Sequence, residues 1–280
     1  MKRIAIVTDS TSDIPQEIAD SLGITIIPLM VNFGMKQYRD GIDIKSDQFY
    51  QMLAQAEPLP TTSQPSPAEF QQLYEALLQE HESVISIHLS AGLSGTLNSA
   101  IAAKEVVKGN IHLIDSRSIS LGIGALVLEA VELVQSGLQA AEVVERLLEK
   151  RNQLEVLFTL DTLEYLRKGG RIGRVQATMG SLLNIKPIVR VVEGVYVTAG
   201  KARRQEQALM AMANLFTSLA DGRKVKRIAV AHGAAPEAAR RLTKLLEQAF
   251  ETKVGLFTQV GPVIGVHTGP GTVGACLTFA

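Results

Sequence analysis

Arg3-Ile4-Ala5-Ile6-Val7-Thr8-Asp9-Ser10-Thr11-Ser12-Asp13 is the stretch that sets the fold. A β-branched apolar run closes on polar residues, Pro15 opens a helix through Leu22, and Gly23 stops it. Residues 24–31 read as the next strand. Strand, helix and strand in such quick succession make a parallel crossover, the unit of a doubly wound sheet, in which ligands sit beyond the carboxyl ends of strands. Asp9 and Ser10 are therefore candidate site residues, weighed against the plainer role of capping the next helix.

Working outward, the pattern returns. Residues 84–89 form a strand that runs into Ser90-Ala91-Gly92-Leu93-Ser94-Gly95-Thr96-Leu97-Asn98, and a helix leaves it over 96–107. Such a junction lets glycine backbone approach a ligand closely and offers the unpaired N–H groups of a new helix to an anion. Before it, Pro58, Pro60, Pro65 and Pro67 impose an extended path that presents Thr61, Thr62 and Ser63. Ser66-Pro67-Ala68-Glu69 then reads as a capping box that starts a helix through Glu80. Strand 111–115, an apolar helix to 134 and an amphipathic helix over 140–150 complete an expected α/β N-terminal domain, 1–153, built on a doubly wound, mainly parallel sheet. Residues 154–280 read as an α+β C-terminal domain. Strands 187–192 and 195–198 form a hairpin around Glu193-Gly194, helices cover 205–219 and 236–250, and a glycine-rich passage precedes the last strand, 274–279.

Composition narrows the function. The 280 residues carry 28 basic and 28 acidic side chains with no charge block, which does not suit nucleic acid. The longest apolar stretch, 119–134, contains Glu129 and Glu132, so no transmembrane segment is expected. The one cysteine, Cys276, lies in an apolar run and reads as a buried inert thiol in a reducing cytoplasm. No spaced His/Cys set suggests a metal, and no Gly-Lys-Ser/Thr phosphate loop suggests ATP binding on this chain. Gly269-Pro270-Gly271-Thr272-Val273-Gly274 spells a dinucleotide fingerprint, but only six residues follow it.

Two chemistries fit what remains. Gly92-Leu93-Ser94-Gly95-Thr96 approximates a nucleophile elbow, although Thr96 stands where the elbow requires glycine. A serine hydrolase using Ser94 and His267, with Asp9 or Asp115 orienting the base, is the alternative. The preferred reading is an anion holder, because hydroxyls and one imidazole, His267 in His267-Thr268-Gly269-Pro270-Gly271, suit binding a carboxylate or phosphate better than breaking a bond.

The chain also resembles the DegV family along its length. The resemblance is carried by 6–13, Thr62-Ser63-Gln64-Pro65-Ser66-Pro67, Leu93-Ser94-Gly95-Thr96, Ile114-Asp115-Ser116, 163–172 and 267–271. It implies a fatty-acid-binding carrier subunit of bacterial fatty acid kinase, not itself an enzyme, with the lipid site between the domains. On this resemblance Thr62 and Ser94 would donate to the fatty-acid carboxylate, His267 would reach the same head group, and Gly95 would allow close approach. Ser63, Thr96 and Thr268 would complete the lipid site, and Arg171 and Arg203 would meet the kinase. The expected partners are a long-chain fatty acid and a separate catalytic subunit that carries ATP and magnesium. The resemblance implies no cofactor on this chain and allows transient membrane contact.

Overall fold

A computed structural model describes residues 2–173, 175 and 185–280. Strand β1 (Lys2–Asp9) is central to the first sheet, pairing in parallel with β2 (Ile24–Ile27) on one side and β6 (His81–His88) on the other. With β7 (Asn110–Asp115) beyond β6, the order β2-β1-β6-β7 is wholly parallel, as the opening crossover predicts. Its loops carry α1 (Gln16–Leu22), α3 (Pro67–Glu80), α4 (Thr96–Val106), α5 (Leu121–Gln135) and α6 (Ala140–Lys150). The capping box at Ser66 forms in full, with Ser66 N donating to Glu69 at 2.7 Å and Glu69 N to Ser66 Oγ at 3.3 Å.

One expected strand is two. Residues 24–31 divide at Pro28, which has no N–H for a ladder, and Met30–Phe33 (β3) joins a separate antiparallel sheet. There β3 pairs with β4 (Lys36–Arg39) and with β5 (Thr61–Ser63), so the proline-framed hydroxyls form a strand. Helix α2 (Ser46–Leu53) follows β4.

The second sheet has six strands in the order β10-β9-β8-β13-β11-β12. These are β8 (Glu155–Thr159), β9 (Lys186–Val192), β10 (Val195–Ala202), β11 (Val225–His232), β12 (Val254–Gln259) and β13 (Val273–Phe279). Only β11 and β12 pair in parallel. The β9–β10 hairpin turns at Glu193 and Gly194, both with positive φ, as a two-residue turn of this hand requires. Helix α7 (Glu164–Lys168) follows β8, capped through the Thr162 hydroxyl to Glu164 N, while α8 (Gln205–Ala220) and α9 (Pro236–Phe250) pack on each other.

The glycine-rich passage holds a helix that sequence periodicity did not reveal, α10 (Pro262–Thr268). Glycine and valine are poor helix formers, so this helix depends on tertiary packing. Val263 and Val266 join Phe49, Tyr50 and Leu53 in the core beneath the first sheet. Ile264 instead joins Leu121 of α5 and Phe158 of β8 in a cluster built from both halves of the chain. A Cβ on Gly265 would lie 2.5 Å from the Phe49 ring and 2.9 Å from the Tyr50 hydroxyl, so only glycine permits that contact.

Two buried carboxylates anchor the start of α10. Asp13 accepts from Gly261 N at 2.8 Å and from the Ser120 hydroxyl, while Asp40 accepts from Ser10 and from Val263 N–H. Burial raises Asp13 from the usual 3.8 to about 7 and Asp40 to about 8, against the lowering effect of those hydrogen bonds. Ionisation is thus harder in the folded state than in the unfolded chain. The acids' contribution to stability is full below about pH 4 and is lost as pH rises through their folded values near 7 and 8. Denaturant titrations at pH 5.5 and 8.5 should therefore show a drop in stability that shrinks in Asp40→Asn; an undiminished drop in that variant would exclude Asp40 as its source.

Candidate functional site

The site is built from four segments. In β5, Thr62 pairs with Val31 of β3, and strand alternation turns its side chain to the face opposite Ser63. The Thr62 hydroxyl lies 2.9 Å from His267 Nε2 near the end of α10. Burial, reinforced by the nearby Arg171 cation, pushes His267 down to about 4. The imidazole is therefore neutral at pH 7 and can donate through only one nitrogen at a time. Its Nδ1 is buried and has no hydrogen-bond partner among the described residues.

Arg171 ties this pair to the display loop after β6. Helix α7 ends in a reverse turn in which Arg171 N donates to Leu166 O at 2.9 Å, with Gly170 at φ +70°. From there Arg171 Nη1 donates to Gly169 O at 2.7 Å and Nε to Leu93 O at 3.3 Å. Gly169 itself stands against the imidazole, because a Cβ there would lie 2.3 Å from His267 Nδ1. A cavity of about 400 Å³ opens at this point, lined by Pro58, Leu59, Thr62, Lys168, Arg171 and His267.

The display loop is tightly organised. Leu93 N and Ser94 N donate to Ser90 O, Ser90 N donates to Ser118 O, and Ser90 Oγ donates to Gly194 O at 2.7 Å. The β9–β10 hairpin thus clasps the loop from the other half of the chain. Ser94 Oγ accepts from Thr96 N at 3.3 Å and sits 2.9 Å from Thr96 Oγ1, closing a local serine turn just ahead of α4, whose N-cap is Gly95. Gly95 faces Gln64, whose amide nitrogen would be 2.6 Å from an added Cβ. Gln64 is thereby the link between the Thr62 strand and the Ser94 loop. Its position in the motif after Ser63 was the available sequence signal, but a side chain's direction is not written there.

The remaining expected residues lie elsewhere. Ser63 is exposed and Arg203 is exposed in the turn before α8. Thr96 is fully buried. Thr268 points away from the cleft; its hydroxyl donates to Ile264 O at 3.0 Å, and it lines an apolar seam of about 30 Å³ with Leu121, Phe158, Ala231, Val260 and Ile264. Asp9 serves the fold, since its buried carboxylate accepts from Thr11 N, Leu89 N and His88 Nδ1. His88 continues to Ser86 and Tyr74 in a buried polar string. Ser10 is likewise structural, taking Leu29 N at 3.1 Å. Asp115 accepts from Arg117 N at 2.8 Å. Among the described residues Ser94 has no bond to a histidine, so the hydrolase alternative finds no base in place. Cys276 is buried and its thiol is pushed up to about 12.

The profile described as "Uncharacterised protein, DegV family" matches residues 3–280. The chain belongs to the DegV family. A DegV domain-containing protein of Deinococcus radiodurans is 39% identical over 277 residues, 98% of each chain. Among solved structures, a DegV family protein from Thermus thermophilus, described for its fatty acid binding, superposes with a TM-score of 0.93 at 38% identity over 99% of this chain and 100% of that one. A stearic acid-binding protein from Eubacterium ventriosum gives 0.93 at 28% identity over 99% and 98%. DegV of Bacillus subtilis, a fatty acid binding protein, gives 0.90 at 36% identity over the whole of both chains.

For this DegV protein the contact of Gly169 with the imidazole is directly testable. Gly169→Ala should displace the His267 ring and cost about 1–3 kcal/mol as an overpacked site. Gly95→Ala should cost less, because the Gln64 amide it meets can swing aside. Equal Tm losses, with His267 ring resonances unmoved in Gly169→Ala, would contradict the geometry.

Proposed function

We propose that this protein binds a long-chain fatty acid, shields its acyl chain and presents the carboxylate to a separate fatty acid kinase. The observation that carries the reading is the Thr62–His267 pair, 2.9 Å apart, at a cleft on one face of α10 while Ile264 and Thr268 of the same helix line an apolar seam. The imidazole Nε2–H donates to the Thr62 oxygen, which leaves the Thr62 hydroxyl proton to donate to the carboxylate, and the Arg171 guanidinium adds charge beside them. Ser94 and Gly95 are assigned to the same site, to which they are tied through Arg171 on the Leu93 carbonyl and through Gln64 beside Gly95. Because His267 is neutral, the positive charge beside the anion comes from Arg171 and not from the imidazole.

The acyl chain takes the seam between the halves. In the structure that seam is nearly closed, so binding requires Leu121, Phe158 and Ile264 to part. Burying the chain contributes about 0.8 kcal/mol per methylene, which exceeds what the head group supplies once more than a few carbons are covered. The fatty-acid ligands of the Thermus and Eubacterium relatives support the lipid class. Arg171 and the exposed Arg203 are assigned to the face that meets the kinase, which would bring ATP and magnesium. No helix among the described residues is long and apolar enough to cross a membrane.

Denaturing extraction of the purified protein, followed by mass spectrometry, should release a fatty acid, or one acquired from added oleate. An empty extract after oleate incubation would end the reading. Thr62→Val should weaken oleate binding by about tenfold, the value of one hydrogen bond left unmade. Ala231→Leu, which fills the seam, should shift the retained lipids to shorter chains while leaving the cleft intact. Unchanged affinity in the first variant would remove Thr62 from the head-group site.

A further inference from the structure

Behind the display loop, where the two halves meet, a polar cleft of about 100 Å³ is lined by Arg117, Arg151, Arg190, Glu155 and Glu193. It shares none of its lining with the Thr62–His267 cleft. Arg190 is committed, since Glu155 takes its Nε at 2.9 Å and Nη2 at 2.8 Å. Arg117 reaches Glu193 from a backbone at φ +49°, and Glu193 is two-thirds exposed at the hairpin tip. Arg151 has no carboxylate partner among the described residues. Its Nη1 donates to the Asp115 carbonyl at 2.8 Å, and its Nε is buried with no hydrogen-bond partner among the described residues. Arg117 lies near enough to repel it. A fourth cation, Arg223, stands 3.9 Å from Glu155 over the Phe279 ring.

Arg151 is half-buried with one N–H unmade among the described residues; Arg117 repels it, and the Asp115 and Glu193 carboxylates attract it without bonding it, so an anion between the two guanidiniums would supply the missing hydrogen bond. We propose that this cleft is a binding site for a tetrahedral oxyanion, a phosphate or pyrophosphate group, held between Arg151 and Arg117. The planar forks of arginine suit such oxygens, and a cleft of about 100 Å³ that ends at the exposed Glu193 admits one phosphoryl group between the arginines and leaves a second at its mouth. Glu193 is then a competitor for Arg117 that can swing into solvent, and not part of the site. The site touches the frame of the display loop, because Ser118 lines the cleft and its carbonyl accepts from Ser90 N.

The test is titration of the full-length protein with inorganic pyrophosphate by calorimetry, at low and high NaCl. Saturable binding in about the 0.1–1 mM range, weakened by salt, is expected. Arg151→Met and Arg117→Gln should each weaken it by about tenfold, while Glu193→Gln should tighten it by about threefold, a gain that a damaged fold cannot mimic. If circular dichroism shows Arg151→Met unfolded, the Arg117 and Glu193 variants carry the test. No saturation by ~10 mM, or affinity indifferent to both of those variants, overturns the proposal. Sedimentation with phosphatidic acid vesicles separates the sources. Vesicle binding that pyrophosphate displaces and Arg117→Gln abolishes assigns the oxyanion to a lipid head group, and pyrophosphate binding without vesicle capture assigns it to a soluble phosphate.

Discussion

The anchoring of α10 by Asp13 and Asp40 is the constraint on which the rest of the site depends. A seven-residue helix made mostly of β-branched residues, with a glycine at its centre, is not stable alone in water. Here its first N–H groups are met by two buried acids from the other half of the chain, and its sides enter two different hydrophobic cores. Each acid is costly to ionise where it stands, so the anchor is strongest when at least one of them keeps its proton. The reward is positional: α10 is fixed on both sides, and His267 arrives within hydrogen-bond reach of Thr62, 205 residues away in the chain.

From that fixed helix the polar contacts spread in one connected series. Thr62 meets His267, Gly169 backs the imidazole, Arg171 bridges Gly169 to Leu93, and Gln64 returns from the Thr62 strand to Gly95. Most of these bonds end on backbone carbonyls, which cannot rotate away as side chains do. That favours a preformed, rigid cleft. Ser94 is bonded to Thr96 just ahead of α4 and, among the described residues, to no histidine, so no base is in place to make it a nucleophile.

The junction between the halves combines opposite kinds of contact. Ile119, Leu121 and Ala125 of the α5 region meet the six-stranded sheet through an apolar cluster. Polar clasps flank it: Ser90 to Gly194 at one side, and Glu129 to Lys226 and Arg227 at the other, at 2.7 and 3.1 Å. Burial alone would raise Glu129, but the hydrogen bonds and charges of those two cations outweigh it and hold the carboxylate below its usual range. Apolar contacts carry no directional requirement, whereas directed bonds do, so the polar clasps on either side fix how the apolar surfaces are aligned.

Local signals in the sequence determined the parallel first sheet, the capping box at Ser66, the hairpin at Glu193-Gly194 and helices such as α6 and α9, because each depends on periodicity, a cap or a turn residue nearby in the chain. The residues singled out at Thr62, Ser94 and His267 were legible as hydroxyls and an imidazole beside glycine. Only the tertiary structure decided the break at Pro28, the existence of α10, the inward turn of Thr268, and the outward turn of Ser63. The physical reason is the same in each case. A helix of poor formers exists only where two cores meet around it, and a strand side chain's face follows from pairing with a distant partner, so neither is encoded by neighbours in the chain.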